Sequence, residues 1–158
     1  MEFKLNADGI KIALQINGYE KVKDVDNPIF CDCSYSFVSD SWLNYSKEND
    51  PILACDEIDY LVSKLNSLLN DEITNDEEIE FWEPDFTFKL IGKKDLRKDK
   101  KYIYIAKGFE IEDICLYWNV HFWNKEEGAL SGNMLSICLF REDIEKLLSF
   151  LQSIQKIN

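Results

Sequence analysis

Strict alternation of apolar and polar residues runs through most of the chain, and two stretches replace it with a three-and-four spacing. Residues 3–5 and 10–16 alternate, with Ile10, Ile12, Leu14 and Ile16 on one face. Asn6-Ala7-Asp8-Gly9 joins them as a hairpin turn. Gly18 closes this unit, and residues 19–28, with Asp24, Asp26, Asn27 and Pro28, read as a surface loop. Over 30–37, Cys31, Cys33, Tyr35 and Phe37 lie opposite Phe30, Asp32, Ser34 and Ser36, the pattern of a half-buried strand. A short strand over 41–45 follows the turn-prone Ser39-Asp40, and Asn49-Asp50-Pro51 is expected to break the sheet.

The first helical spacing spans 56–69, where Ile58, Leu61, Val62, Leu65, Leu68 and Leu69 form one stripe. Asp56 and Glu57 complement the dipole at its start. After an acidic turn over 70–78, residues 79–91 read as two strands folded at Pro84, with Phe86, Phe88 and Leu90 sharing a face. The basic cluster over 93–101 is expected to tip a hairpin, with a strand over 102–105 on its far side. A longer strand over 113–123 puts Ile114, Leu116, Trp118, Val120 and Phe122 on one face. Cys115, Tyr117, Asn119, His121 and Trp123 share the other. A strand over 134–140 leads to a second helix over 141–154, striped by Ile144, Leu147, Leu148, Leu151 and Ile154. These elements predict one α+β domain over 1–158: a single twisted, mainly antiparallel sheet with two helices packed on one face.

Charge changes the picture more than size does. The 158 residues carry a net charge of −12, which disfavours nucleic acid and anionic membranes as partners and favours a cationic one. No apolar run approaches the roughly 20 residues of a membrane helix. The N-terminus lacks a signal-peptide core, so a cytoplasmic location is expected. Five cysteines, an odd number without an export signal, read as free thiols. Cys31 and Cys33 share a strand face, yet no further Cys/His pair completes a zinc tetrad. Asp24-x-Asp26-Asn27 lacks the glycine and distal glutamate of a calcium loop. No strand-to-helix Gly-rich phosphate loop is present, and no cofactor is expected.

Candidate chemistry is sparse. His121 is the sole histidine, so a histidine-based acyl transfer would have to use it. Cys115, six residues along the same strand, would lie about 20 Å away, whereas Cys138 on another strand could approach. Glu80 and Glu83 bracket Trp82 at the proline corner, a position that favours solvent over a catalytic pair. The basic cluster lacks the interleaved aromatics and basic surround of a nucleic-acid site. Trp42, Tyr45, Trp82, Tyr117 and Trp123 fall on strand ends or the non-core face, where a ring among carboxylates suits a protein interface.

The order of these features has a parallel. Ile-Asn-Gly-Tyr-Glu over 16–20, Ser-Trp-Leu over 41–43, a helix opening on Asp56-Glu57, Phe-Trp-Glu-Pro-Asp-Phe-Thr-Phe over 81–88, and a closing strand and helix together resemble the WapI-type immunity proteins. The resemblance covers most of the chain. It implies a non-enzymatic inhibitor that binds one cognate bacterial toxin domain, often a nuclease, and blocks its surface. With that role, Asp24, Asp26, Asp40, Trp42, Tyr45, Asp76, Glu77 and Glu78 are the expected partner-binding residues, acidic loops beside aromatics. A non-catalytic adaptor subunit, or a small hydrolase using His121, are the competing readings; the oligomeric state is open.

Overall fold

The computed structural model describes residues 1–21, 27–124 and 126–157. β1 (Glu2–Ala7) and β2 (Ile10–Asn17) pair antiparallel across the two-residue turn Asp8-Gly9. Both turn residues have positive φ, 49° and 86°, the pair of left-handed conformations that matches strand twist in a tight hairpin. Asn6 Oδ1 accepts the Gly9 N–H at 3.0 Å and holds the turn closed. β3 (Phe30–Ser39) and β4 (Leu43–Ala54) complete a four-stranded meander in the order β1-β2-β3-β4.

The expected break at Asn49-Asp50-Pro51 does not occur, because β4 runs through it. Cys31 faces Leu53, Cys33 faces Asp50 and Tyr35 faces Lys47, so β4 takes up one extra residue on each side of Asp50. Asn49 absorbs part of this bulging with a φ of 50°. β4 is an edge strand, where a proline without an N–H is tolerated.

α1 (Cys55–Leu69) then carries the chain to a second sheet. Its members are β5 (Glu77–Glu80), β6 (Phe86–Ile91), β9 (Cys115–Asn124) and β10 (Ala129–Phe140), in the order β10-β9-β6-β5. β7 (Lys94–Asp95) and β8 (Ile111–Glu112) form a separate two-stranded ribbon. The class is α+β with antiparallel strands, as expected, but the strands are divided between two four-stranded sheets where the sequence reading gathers them into one. Each sheet covers the apolar face of the other. Phe37 of β3 meets Trp118 of β9 edge-on at 5.4 Å, and Tyr35 lies 4.8 Å from Phe86 of β6. α2 (Arg141–Ile157) packs on α1 and against β1, β9 and β10. The stripes of both helices join the same buried core.

Residues 102–105 form no strand. They have no partner strand, and the backbone closes on local turns instead, with Tyr102 N–H donating to Asp99 O at 3.2 Å. Gly92, after β6, is set by close approach: a Cβ there would sit 2.1 Å from the Ile73 carbonyl oxygen. No helix among the described residues is long and apolar enough to cross a membrane.

Candidate functional site

The corner between β5 and β6, residues 81–85, is tied down at both ends by buried carboxylates. At its far end Asp85 is 1% exposed. Its Oδ1 accepts from the Tyr35 hydroxyl at 2.9 Å, from Lys47 Nζ at 2.7 Å and from Trp123 Nε1 at 3.0 Å. Its carbonyl accepts the His121 N–H at 2.9 Å. These donors come from β3, β4 and β9, so one carboxylate joins both sheets. Lys47 also pairs with Asp50 at 2.7 Å and stands 4.6 Å from the centre of the Trp123 ring. Partial burial pulls the Lys47 pKa down, but its hydrogen bonds to Asp50 and Asp85 prevail and leave it above that of an ordinary lysine. Burial, followed by the Asp85 charge, holds the Tyr35 hydroxyl firmly protonated. A cleft of about 300 Å³ opens beside this group, lined by Asp50, Pro51, Ile52, Glu83 and Trp123 among others.

At the near end, Glu57 does the equivalent work from the first turn of α1. Its Oε2 accepts the Ala54 N–H at 2.8 Å, half of a capping box, and its Oε1 accepts the Trp82 N–H at 2.6 Å. Burial raises the Glu57 pKa, against the pull of these two backbone donors. Helix start and corner are thereby fastened to each other. The side chain of Trp82 points away from all of this and is 68% exposed, between the exposed Glu80 and the half-buried Glu83. A rigid backbone thus displays a bare indole among carboxylates.

The expected partner-binding residues fall in separate places. Asp24 and Asp26 lie outside the described residues. Asp40 and Trp42 sit at the β3–β4 turn; Asp40 pairs with Lys11 at 2.9 Å, and Trp42 is 65% exposed. Tyr45 is half-buried, its ring 4.8 Å from Phe122 between the sheets. Asp76 pairs with Lys94 at 3.0 Å, and Glu77 pairs with Lys64. Glu78 is exposed opposite Lys89 across the β5–β6 ladder. The structure therefore keeps Asp40 with Trp42 on one sheet, and Asp76 with Glu77 and Glu78 at an edge of the other. Trp82 belongs with the exposed anchors but was outside the expected set. Its signal in the sequence is its place between Glu80 and Glu83, just ahead of Pro84.

The histidine is not brought to a thiol. His121 Nε2 lies 3.3 Å from Thr87 Oγ1, and that hydroxyl accepts from Asn119 Nδ2 at 3.2 Å. The register sets Met134 opposite His121 and Cys138 opposite Tyr117, so Cys138 is displaced by four residues, roughly 13 Å along the strand. Cys31 and Cys33 are buried in the core, and no group of three or more His, Cys, Asp or Glu among the described residues is placed to hold a metal ion. No family model matches the chain, and no curated protein or solved structure is significantly similar to it.

Proposed function

We propose that this protein is a non-catalytic inhibitor of the immunity type, which binds a cognate bacterial toxin domain in the cytoplasm and blocks its active surface. The observation that carries the reading is Trp82: a large aromatic side chain left in solvent, on backbone locked by Glu57 and Asp85, with glutamates beside it. Tryptophans of this kind anchor protein interfaces, because a fixed backbone leaves little conformational freedom to lose on binding. Trp42 beside Asp40 repeats the arrangement on the other sheet. The net charge of −12 suits a basic partner such as a nuclease domain, whose site must hold phosphates.

The test is to search the neighbouring reading frames for a toxin-like protein and to co-express its toxin domain with this chain. Cells should survive with the native chain and die with Trp82→Ala or Trp42→Ala, both of which leave folding intact because the rings are exposed. Survival that persists when both tryptophans are removed, or a chain that never protects, rejects the reading.

A further inference from the structure

The connection between β7 and β8, residues 96–110, stands apart from the rest of the surface. It opens on one 3-10 turn, Leu96–Lys98, and residues 99–110 after it form no helix or strand, a length at the upper end of connections in compact domains and often functional. This one is shaped by its own backbone. Leu96 N–H donates to Glu110 O at 2.9 Å across its base, Asp99 N–H to Leu96 O at 3.1 Å, and Phe109 N–H to Ala106 O at 3.0 Å. Gly108 N–H donates to Glu110 Oε2 at 2.7 Å.

That framework puts apolar side chains in water. Ile103 is 102% exposed, as open as in an extended chain, and Tyr104 and Phe109 are 83% and 72% exposed. Lys98, Lys100, Lys101 and Lys107 flank them along the chain, all exposed, and none has an ion-pair partner among the described residues. Basic side chains outnumber acidic ones seven to four between residues 93 and 112, in a protein whose overall charge is −12.

We propose that this loop docks the protein on the surface of an anionic lipid bilayer. The lysines meet headgroup phosphates, while Ile103, Tyr104 and Phe109 enter the interfacial layer. Tyrosine and lysine are enriched at that boundary, and basic residues there are drawn to anionic lipids. A protein partner fits less well, since lysine is depleted from protein interfaces. Nucleic acid fits less well too, since Ile103 offers a base no ring to stack on. The acidic body does not cancel the attraction, because charges more than about 8 Å from the surface are screened at physiological salt. The inference is independent of the inhibitory role proposed above.

The experiment is flotation of the full chain with vesicles of phosphatidylcholine alone and with vesicles containing about one-third phosphatidylglycerol. The chain should partition only onto the anionic vesicles, and less as salt rises. Ile103→Asp/Phe109→Asp should lower partitioning at least about ten-fold. Lys100→Ala/Lys101→Ala should lower it about five-fold per lysine. Circular dichroism should be unchanged in both variants, whose altered residues are exposed. No partitioning onto anionic vesicles at low salt, or equal partitioning by Ile103→Asp/Phe109→Asp, overturns the proposal. So does a loss of toxin neutralisation in that variant with no effect on vesicles, which would make the loop a protein-docking surface.

Discussion

Lys47 Nζ lies 2.7 Å from Asp85 Oδ1, although Lys47 belongs to an edge strand of one sheet and Asp85 to the corner of the other. The lysine is partly covered and the carboxylate almost wholly so, with Tyr35 and Trp123 completing its donors. Asp85→Ala would leave Lys47 paired with Asp50 alone and the buried Tyr35 hydroxyl and half-buried Trp123 N–H without this acceptor, and should cost about 1–3 kcal/mol. Lys47→Met leaves the almost wholly buried Asp85 carboxylate without its cation and should cost at least as much. Urea unfolding, read as a shift in midpoint at constant slope, measures both. If Asp85→Ala costs under about 1 kcal/mol, this carboxylate does not join the sheets.

Arg141 gathers three parts of the chain at the start of α2. It grips Asp113 with two hydrogen bonds, 2.9 and 2.6 Å, reaches Asp71 at 2.8 Å and donates to the Leu69 carbonyl at the end of α1 at 2.9 Å. The Arg141 hydrogen bonds push the Asp113 carboxyl down to about 2, and Arg141 followed by Lys93 lowers that of Asp71. A carboxyl depressed in the folded state contributes stability above its unfolded value of about 3.9 and loses it as pH falls through the folded value. Arg141→Gln should therefore be less stable than the native chain at neutral pH. The gap between them should close as pH falls from about 4 to about 2. A series of unfolding curves across that range checks it, and a gap that stays constant rejects this role for the two carboxyls.

Gly92→Ala tests a backbone contact. The added methyl would lie 2.1 Å from the Ile73 carbonyl oxygen, so strand and loop must part. A loss of about 1–3 kcal/mol is expected, at the scale of overpacking. Thermal unfolding gives the answer, and a variant with native stability would show that the loop at Ile73 moves aside freely.

The core thiols should be inert in the folded protein. Cys31 and Cys55 are fully buried with their sulfurs 3.5 Å apart, and burial pushes Cys33 up to about 12 and Cys31 higher still. At pH 8 Cys31 and Cys33 hold almost no thiolate, and Cys55 is wholly buried, out of reach of the reagent. Iodoacetamide followed by mass spectrometry should label these three positions only after unfolding. Rapid labelling of any of them in the native chain contradicts that.

How far the sequence reaches can be seen by comparing residues. The burial of Leu116, Trp118 and Val120 on one side of β9 follows from their alternation, because a strand with one covered face must place every second residue inward. The stripes of α1 and α2 are legible for the same reason at the helical period. The hairpin at Asp8-Gly9 is legible because few residues accept two positive φ values in succession.

Periodicity reports that a face is covered but not by what. Only the tertiary structure decided that the strands divide into two sheets facing each other, that β4 continues through Pro51 by bulging against β3, and that 102–105 stays in solvent for want of a partner strand. It likewise decided that Asp85, which after Pro84 reads as an ordinary turn residue, is the most deeply buried charge at the corner. The reason is physical. A local pattern is set by the few residues on either side, whereas the worth of a carboxylate depends on donors such as Tyr35 and Trp123, which are 50 and 38 residues away along the chain and adjacent only once both sheets have closed.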